Sequence, residues 1–348
     1  MWPDDRFAGL LGSRLPIIAA PMAGAGGVEL AVGAIAGGAV GSLPCALLTP
    51  DQMRAQVAEV RTRTTGPINL NFFCHAMPEA VDDSAWRAVL RPFYDEFGVK
   101  PVTGGTLRRP FDAASCADVE EIRPDLVSFH FGLPDDALLA RVRATGARIL
   151  GNATTLAEAR VLAARGVDAI IAQGWEAGGH AGRFLGAPIE EAPGLIALVP
   201  QVSDATGLPV VAAGGIGDAR GIAAALALGA TAVQVGTAYL HCPESLIGPA
   251  HRAGLTGESA EHTGFTNLFS GGLARSLPTR LTDVLGRIRT EAPPFPLASP
   301  ALAPLAKTTD GFAPMWAGQA SRLGRPLPAR ELTETLGREA LALLGRKA

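Results

Sequence analysis

Short apolar runs rich in Val, Ile and Ala recur along the chain at residues 17–20, 40–43, 68–73, 126–131, 147–150, 169–173, 210–213 and 232–235. They are too short for helices and are apolar without alternation, as strands buried on both faces of a parallel sheet are. Between them lie stretches of helical character, so the pattern predicts repeated βα units. Thr154-Thr155-Leu156-Ala157-Glu158 offers a capping hydroxyl ahead of an Ala/Leu/Arg-rich run that stops at Gly166. Asp218 to Gly229 has the same form. Eight strand runs between Ile17 and Val235 match a closed (β/α)8 TIM barrel better than an open doubly wound sheet.

The interval from Phe73 to Leu126 is too long for one connection, so a helix over residues 82–97 is expected to share it with an excursion suited to a lid. After residue 241 the βα rhythm gives way to Gly/Ser/Pro-containing text that runs into Pro293-Pro294-Phe295-Pro296. Residues 331–347 read as helix again. The expected division is therefore a barrel over residues 1–240 and a smaller, mainly helical cap over residues 241–348.

Composition narrows the function classes. With 48% hydrophobic and 18% charged residues in 348, the chain can bury a large core and is too apolar for disorder. A net charge of −3 without a basic run gives nothing to neutralise a phosphate backbone, so nucleic acid is not an expected partner. Cys45, Cys74, Cys116 and Cys242 lie far apart, which suggests neither a disulfide framework nor a metal site and fits a reducing cytoplasm. The first ten residues lack the basic-then-apolar order of a secretory signal. Two uncharged runs, residues 30–50 and 221–243, are broken by glycine and proline and divide into helix plus strand, so no membrane span is expected.

In a barrel the chemistry follows the strand ends. The first run ends Ala20-Pro21-Met22-Ala23-Gly24, either an ordinary glycine turn or a place where backbone approaches a flat ligand. Asn69 and Asn71 point to one face of the third strand, where they either meet a heterocycle edge or fill polar positions of the barrel interior. The fourth ends Ser128-Phe129-His130-Phe131-Gly132, whose histidine is either a hydrogen-bonded packing residue or part of a site. The sixth leads into Gln173-Gly174-Trp175-Glu176-Ala177-Gly178-Gly179-His180-Ala181-Gly182. Such a loop costs backbone entropy on ordering and commonly presents N–H groups to a ligand. His180 offers a proton acceptor near neutral pH and is the leading catalytic candidate, Gln173 a side-chain amide. Glycine loops after the seventh and eighth strands, Gly214-Gly215-Ile216-Gly217 and Gln234-Val235-Gly236-Thr237, form the phosphate site recurrent in these barrels. No full dinucleotide fingerprint, Walker motif, hydrolase elbow or zinc-protease motif is present.

Taken in order with Trp316-Ala317-Gly318-Gln319, these segments resemble the nitronate monooxygenase family, formerly called 2-nitropropane dioxygenases, of FMN-dependent barrel enzymes. The Gln-Gly-x-Glu-Ala-Gly-Gly-His string is the most specific of them. The resemblance implies FMN across the barrel mouth, its phosphate on the Gly214/Gly215 and Gly236/Thr237 backbone. Ala20, Pro21, Met22, Ala23, Asn69, Asn71, Gln173, Gly178, Gly179, Gln234 and Val235 are the further expected contacts. It also implies His180 at the reacting face, with His130 and Lys307 as candidates for the nitro oxygens. The implied chemistry is oxidation of an alkyl nitronate, with nitroalkanes as further substrates, by O2 to a carbonyl compound and nitrite. Related FMN barrels that reduce quinones or enoyl thioesters with NAD(P)H share these loops and supply the alternative. The oligomeric state is not legible.

Overall fold

The computed structural model describes residues 2–79, 81–102, 104–105 and 107–345. All eight predicted runs are strands: β1 (Ile17–Ala19), β2 (Gly41–Pro44), β3 (Ile68–Phe73), β4 (Leu126–His130), β5 (Arg148–Ala153), β6 (Ala169–Gln173), β7 (Val210–Ala213) and β8 (Ala232–Val235). They pair in parallel in chain order, and β1 lies beside β8 with Ile17 opposite Val233. An Ile18–Val40 bridge joins β1 to the start of β2 and closes the cylinder. The fold is the expected (β/α)8 barrel.

Alternation along the strands sorts the core into two layers. Ile18, Val40, Leu126, Leu150, Ala169, Ile171, Val211 and Ala232 pack inside the cylinder. Ile17, Leu70, Val127, Ile149, Ile170, Val210 and Val233 face outward against the helices. The helical signals act as read: Thr155 accepts from the Glu158 amide to start the helix Leu156–Ala164, and Asp218 accepts from the Arg220 and Gly221 amides to start Ala219–Ala227.

Two segments depart from a simple repeat. Between β3 and its outer helix Ala113–Ile122 the chain inserts a helix, Ser84–Phe97, and a loop. Trp86, Leu90, Phe93 and Tyr94 of that helix build a second core with Leu268, Phe269, Leu302 and Phe312, all from residues beyond the eighth strand. Those later residues also form a three-stranded antiparallel ribbon in which Ala274–Ser276 pairs with Gly264–Thr266 on one side and Gly179–His180 on the other. The residues after 240 therefore divide between two places. The last helix, Ala329–Leu343, leaves the ribbon region and packs through Ala329, Leu332, Leu336 and Ala340 onto the barrel core, beside Val28–Ala36 and Ala219–Ala227. It occupies the position of the eighth barrel helix. Lys347, expected within it, lies outside the described residues. No helix among the described residues is long and apolar enough to cross a membrane.

Candidate active site

The carboxyl ends of the strands surround a cavity of about 460 Å³, within the range of about 300–1,000 Å³ common for cofactor and substrate sites. Ala20, Pro21, Met22 and Ala23 line it from β1, Asn71 from β3, His130 from β4 and Gln173 from β6. Gly178, Gly179, His180, Gly214, Gly215, Gln234, Gly236 and Thr237 complete that wall, and Met315, Trp316 and Gly318 close it from the late segment.

Three expected residues lie elsewhere. Asn69 shares its face with Asn71 but is one layer deeper, where its Nδ2 donates to Ser42 Oγ at 3.0 Å. Val235 follows inward-facing Gln234 and so turns outward into the helix layer. Lys307 is exposed at the end of the helix Ser299–Ala306, because that helix spends its apolar face, Ala301, Leu302 and Leu305, on the second core. Among the described residues, the Arg or Lys side chain that lines the cavity is Arg108.

The glycine-rich loop after β6 is fixed at several points. Gln173 donates from Nε2 to the His180 carbonyl at 2.9 Å, while its Oε1 accepts from the Gly182 amide at 2.8 Å and from Asn152 Nδ2 at 3.0 Å. The amide expected to serve a heterocycle thus ties the two ends of the loop together. A Cβ on Gly182 would fall 2.3 Å from Asn152 Nδ2 and 2.5 Å from His130 Cε1, so only glycine fits between them. On the other side, buried Arg275 donates to the Trp175 carbonyl at 2.9 Å and stacks 4.3 Å from the Phe265 ring. Burial pushes its guanidinium down to about 10.

His180 leaves this loop on the ribbon strand opposite Ala274, with Nε2 2.8 Å from Ser270 Oγ. Its ring lies among Phe295 at 5.1 Å, Trp316 at 5.3 Å and Phe131 at 6.1 Å between centroids. Burial holds its pKa well below the ordinary value, with the charge of Arg108 and the neighbouring His130 and His75 adding to the effect. The imidazole is therefore neutral at pH 7. His130 is likewise pushed down to about 4 by burial, and its Nε2 lies 3.1 Å from the His180 carbonyl. Ser270 and Phe295 carried no sequence signal beyond their glycine- and proline-rich surroundings.

Gly214 and Gly215, which also line the cavity, adopt φ of 108° and 68°, conformations that residues with a side chain rarely take. Thr237 begins a short helix there, and its Oγ1 accepts from the Gly318 amide at 2.9 Å. Gln234 Oε1 is buried without a protein partner among the described residues. Among the described residues, Arg108 and Asp310 are the only Arg, Lys, Asp or Glu residues lining the cavity. Among the described residues no group of three His, Cys, Asp or Glu side chains could hold a metal ion.

A parallel barrel with glycine loops at the ends of β7 and β8 and a half-buried, neutral histidine among aromatic rings, all opening onto one cavity, defines a barrel enzyme. The chain matches the nitronate monooxygenase family over residues 5–339 and belongs to it. It is 43% identical over 346 residues to a nitronate monooxygenase of Pseudomonas aeruginosa, covering 96% of this chain and 99% of that one. It is 42% identical over 341 residues to one from Paraburkholderia phytofirmans, covering 95% and 93%. Among solved structures it is similar to nitroalkane oxidase from Streptomyces ansochromogenes, with a TM-score of 0.88, 36% identity and 97% and 99% of the two chains covered.

Proposed function

We propose that this protein binds FMN and oxidises alkyl nitronates with O2 to a carbonyl compound and nitrite, nitroalkanes being poorer substrates. The observation that carries the reading is the opening of the Gly214–Gly215 cradle and the His180 box onto one cavity, in a chain of this family. The residues fit FMN. Gly214, Gly215, Gly236 and Thr237 supply backbone donors for its phosphate, and unpartnered Gln234 Oε1 supplies a buried acceptor for an N–H of a flat heterocycle. The turn Ala20-Pro21-Met22-Ala23 offers a flank of small side chains and backbone for the ring.

When bound, FMN supplies the electron acceptor for the nitronate and the route by which O2 takes the electrons up. The chain's own part is binding and exclusion. Phe131, Phe295 and Trp316 keep water from the ring of His180, so a charge entering the box meets a low dielectric. Neutral His180 can accept a proton, but its depressed basicity makes it a weak base toward a carbon acid, which favours a substrate that arrives already deprotonated. Residues 1–240 would carry the cofactor and the later ribbon the substrate wall. The four free cysteines are consistent with a reducing, cytoplasmic location.

The test is spectroscopic. The purified protein should be yellow, and anaerobic ethylnitronate should bleach it. Bleaching by NADH or NADPH with ethylnitronate inert would instead select a reductase of quinones or enoyl thioesters.

A further inference from the structure

Residues 107–111 pass the end of β3, and one of them, Arg108, lines the cavity. The Phe111 amide donates to the Phe73 carbonyl at 2.7 Å and Pro110 bridges Phe73 in parallel, so the segment is fastened beside the end of β3. Two residues before that bridge, Arg108 lines the cavity. Among the described residues its side chain has no ion pair or hydrogen bond, and its Nε is buried without an acceptor. Burial alone acts on its pKa, lowering it, and no carboxylate offsets the effect. Arg275, also buried, differs: it donates to the carbonyls of Trp175 and Thr263 and stacks on two aromatic rings.

A half-buried guanidinium whose Nε is shielded from water and lacks an acceptor is costly, and the cost is recovered when an anion enters and completes the pair. The charge acts at the His180 end of the cavity, where, after burial, it is the next cause that lowers the pKa of His180. Its neighbour His75 is pushed down to about 4, with Phe295 4.7 Å from its ring and Phe131 6.2 Å away, and Asp310 is the carboxylate that shares the cavity lining with Arg108.

We propose that Arg108 is the substrate's counter-ion: its planar fork takes the two oxygens of the nitronate and so selects the anion over the neutral nitroalkane. This rests on the nitronate reading above and deepens it. Two coplanar oxygens sharing one negative charge present to guanidinium the same geometry as a carboxylate, and two parallel N–H···O bonds fix orientation as well as charge. Held this way, the nitronate also meets neutral His180 with no cation competing for it.

The experiment compares FMN-loaded wild type with Arg108→Met, Arg108→Gln and Arg108→Lys. Expected for Met and Gln is a rise of about tenfold or more in KM for ethylnitronate. The loss in kcat/KM on ethylnitronate should exceed that on neutral nitroethane by about fivefold or more, with partial recovery in the Lys variant. Calorimetric titration with sodium nitrite, a small anion carrying the same pair of oxygens, should show affinity weakened about tenfold in Met and Gln. Flavin absorbance per protein reports whether each variant keeps its fold, and if Met does not, Gln carries the comparison. Equal losses on anion and neutral substrate, or unchanged KM and nitrite affinity, would overturn the proposal. If wild type holds FMN but turns over no nitronate, the functional reading fails, while the nitrite titration still decides the role of Arg108.

Discussion

His130 holds His180 by its backbone. The His180 carbonyl, a pure acceptor, lies 3.1 Å from His130 Nε2 and also accepts from Gln173 Nε2 at 2.9 Å. The first contact fixes His130 as the Nε2–H tautomer. Two side chains from β4 and β6 thus set the height of the catalytic candidate above the barrel, and His130 is a positioning residue as much as a wall of the cavity. His130→Leu removes one of the two donors, whereas His130→Gln can restore a donor at similar reach. The Leu variant should keep FMN and lose about 10- to 100-fold in kcat on ethylnitronate, with Gln recovering part of it. Equal losses in the two variants, measured by oxygen uptake, would count against positioning through this bond.

His180→Asn keeps a polar group of similar reach and removes the imidazole. FMN should remain bound, and turnover of neutral nitroethane should fall by about 10²-fold or more, the usual worth of a positioned base. Ethylnitronate, which needs no deprotonation, should lose less. Matching losses on the two substrates in steady-state assays would show that His180 is not acting as a base. Because burial and Arg108 hold its pKa well below the ordinary value, the wild-type rate on ethylnitronate should show no inflection from His180 between about pH 6 and pH 8.

Stability should carry the mark of the half-buried histidines. His75, His130 and His251 are each pushed from 6.5 to about 4, by burial first. Between those values the unfolded chain binds protons that the folded chain does not, so unfolding gains protons and stability falls as pH drops through 6.5. Above about pH 7 these groups are neutral in both states and contribute no slope. At pH 5.5 each should have removed roughly 1 kcal/mol relative to pH 7.5, before most carboxylates begin to titrate. Urea unfolding at pH 7.5, 6.5 and 5.5 measures this, and a flat midpoint across that range would contradict it.

How far the molecule was legible follows from where the information lies. The strands were readable because a strand buried on both faces must be apolar at every position, and the caps of Leu156–Ala164 and Ala219–Ala227 because their hydroxyl and carboxylate are local. The glycine loops were readable because left-handed φ leaves its mark in the residue itself. Depth was not: alternation gives Asn69 and Asn71 the same face and says nothing about which layer reaches the cavity. The closing helix Ala329–Leu343 was drawn with the cap because its place on the barrel depends on a return across the whole ribbon insertion. The places of Lys307 and Arg108 are not legible for a similar reason. A helix face packed on the second core turns Lys307 to water, while the bond from Phe111 to Phe73 brings Arg108 inward. Neither contact is local in sequence.

The Gly214–Gly215 loop, proposed above to hold the FMN phosphate, yields the most direct test of cofactor placement. Gly215 has φ of 68°, and a Cβ there would meet the Glu176 side chain at 3.3 Å. Gly214, with φ of 108°, would bring a Cβ to 2.9 Å from the Ala177 amide nitrogen. A β-branched residue at 215 must therefore either leave the left-handed region, moving the neighbouring N–H groups, or strain there at a cost on the order of 1–3 kcal/mol. The first course displaces the backbone donors and the second weakens the folded loop, so either should lower flavin affinity. Gly215→Val should purify with less than about a tenth of the wild-type flavin, since log-scale loss follows from a few kcal/mol of lost phosphate contacts. Its far-ultraviolet circular dichroism should stay that of a folded barrel. Flavin absorbance per protein after dialysis against FMN reads the outcome. Full flavin content in a folded Gly215→Val protein would place the phosphate somewhere other than the ends of β7 and β8.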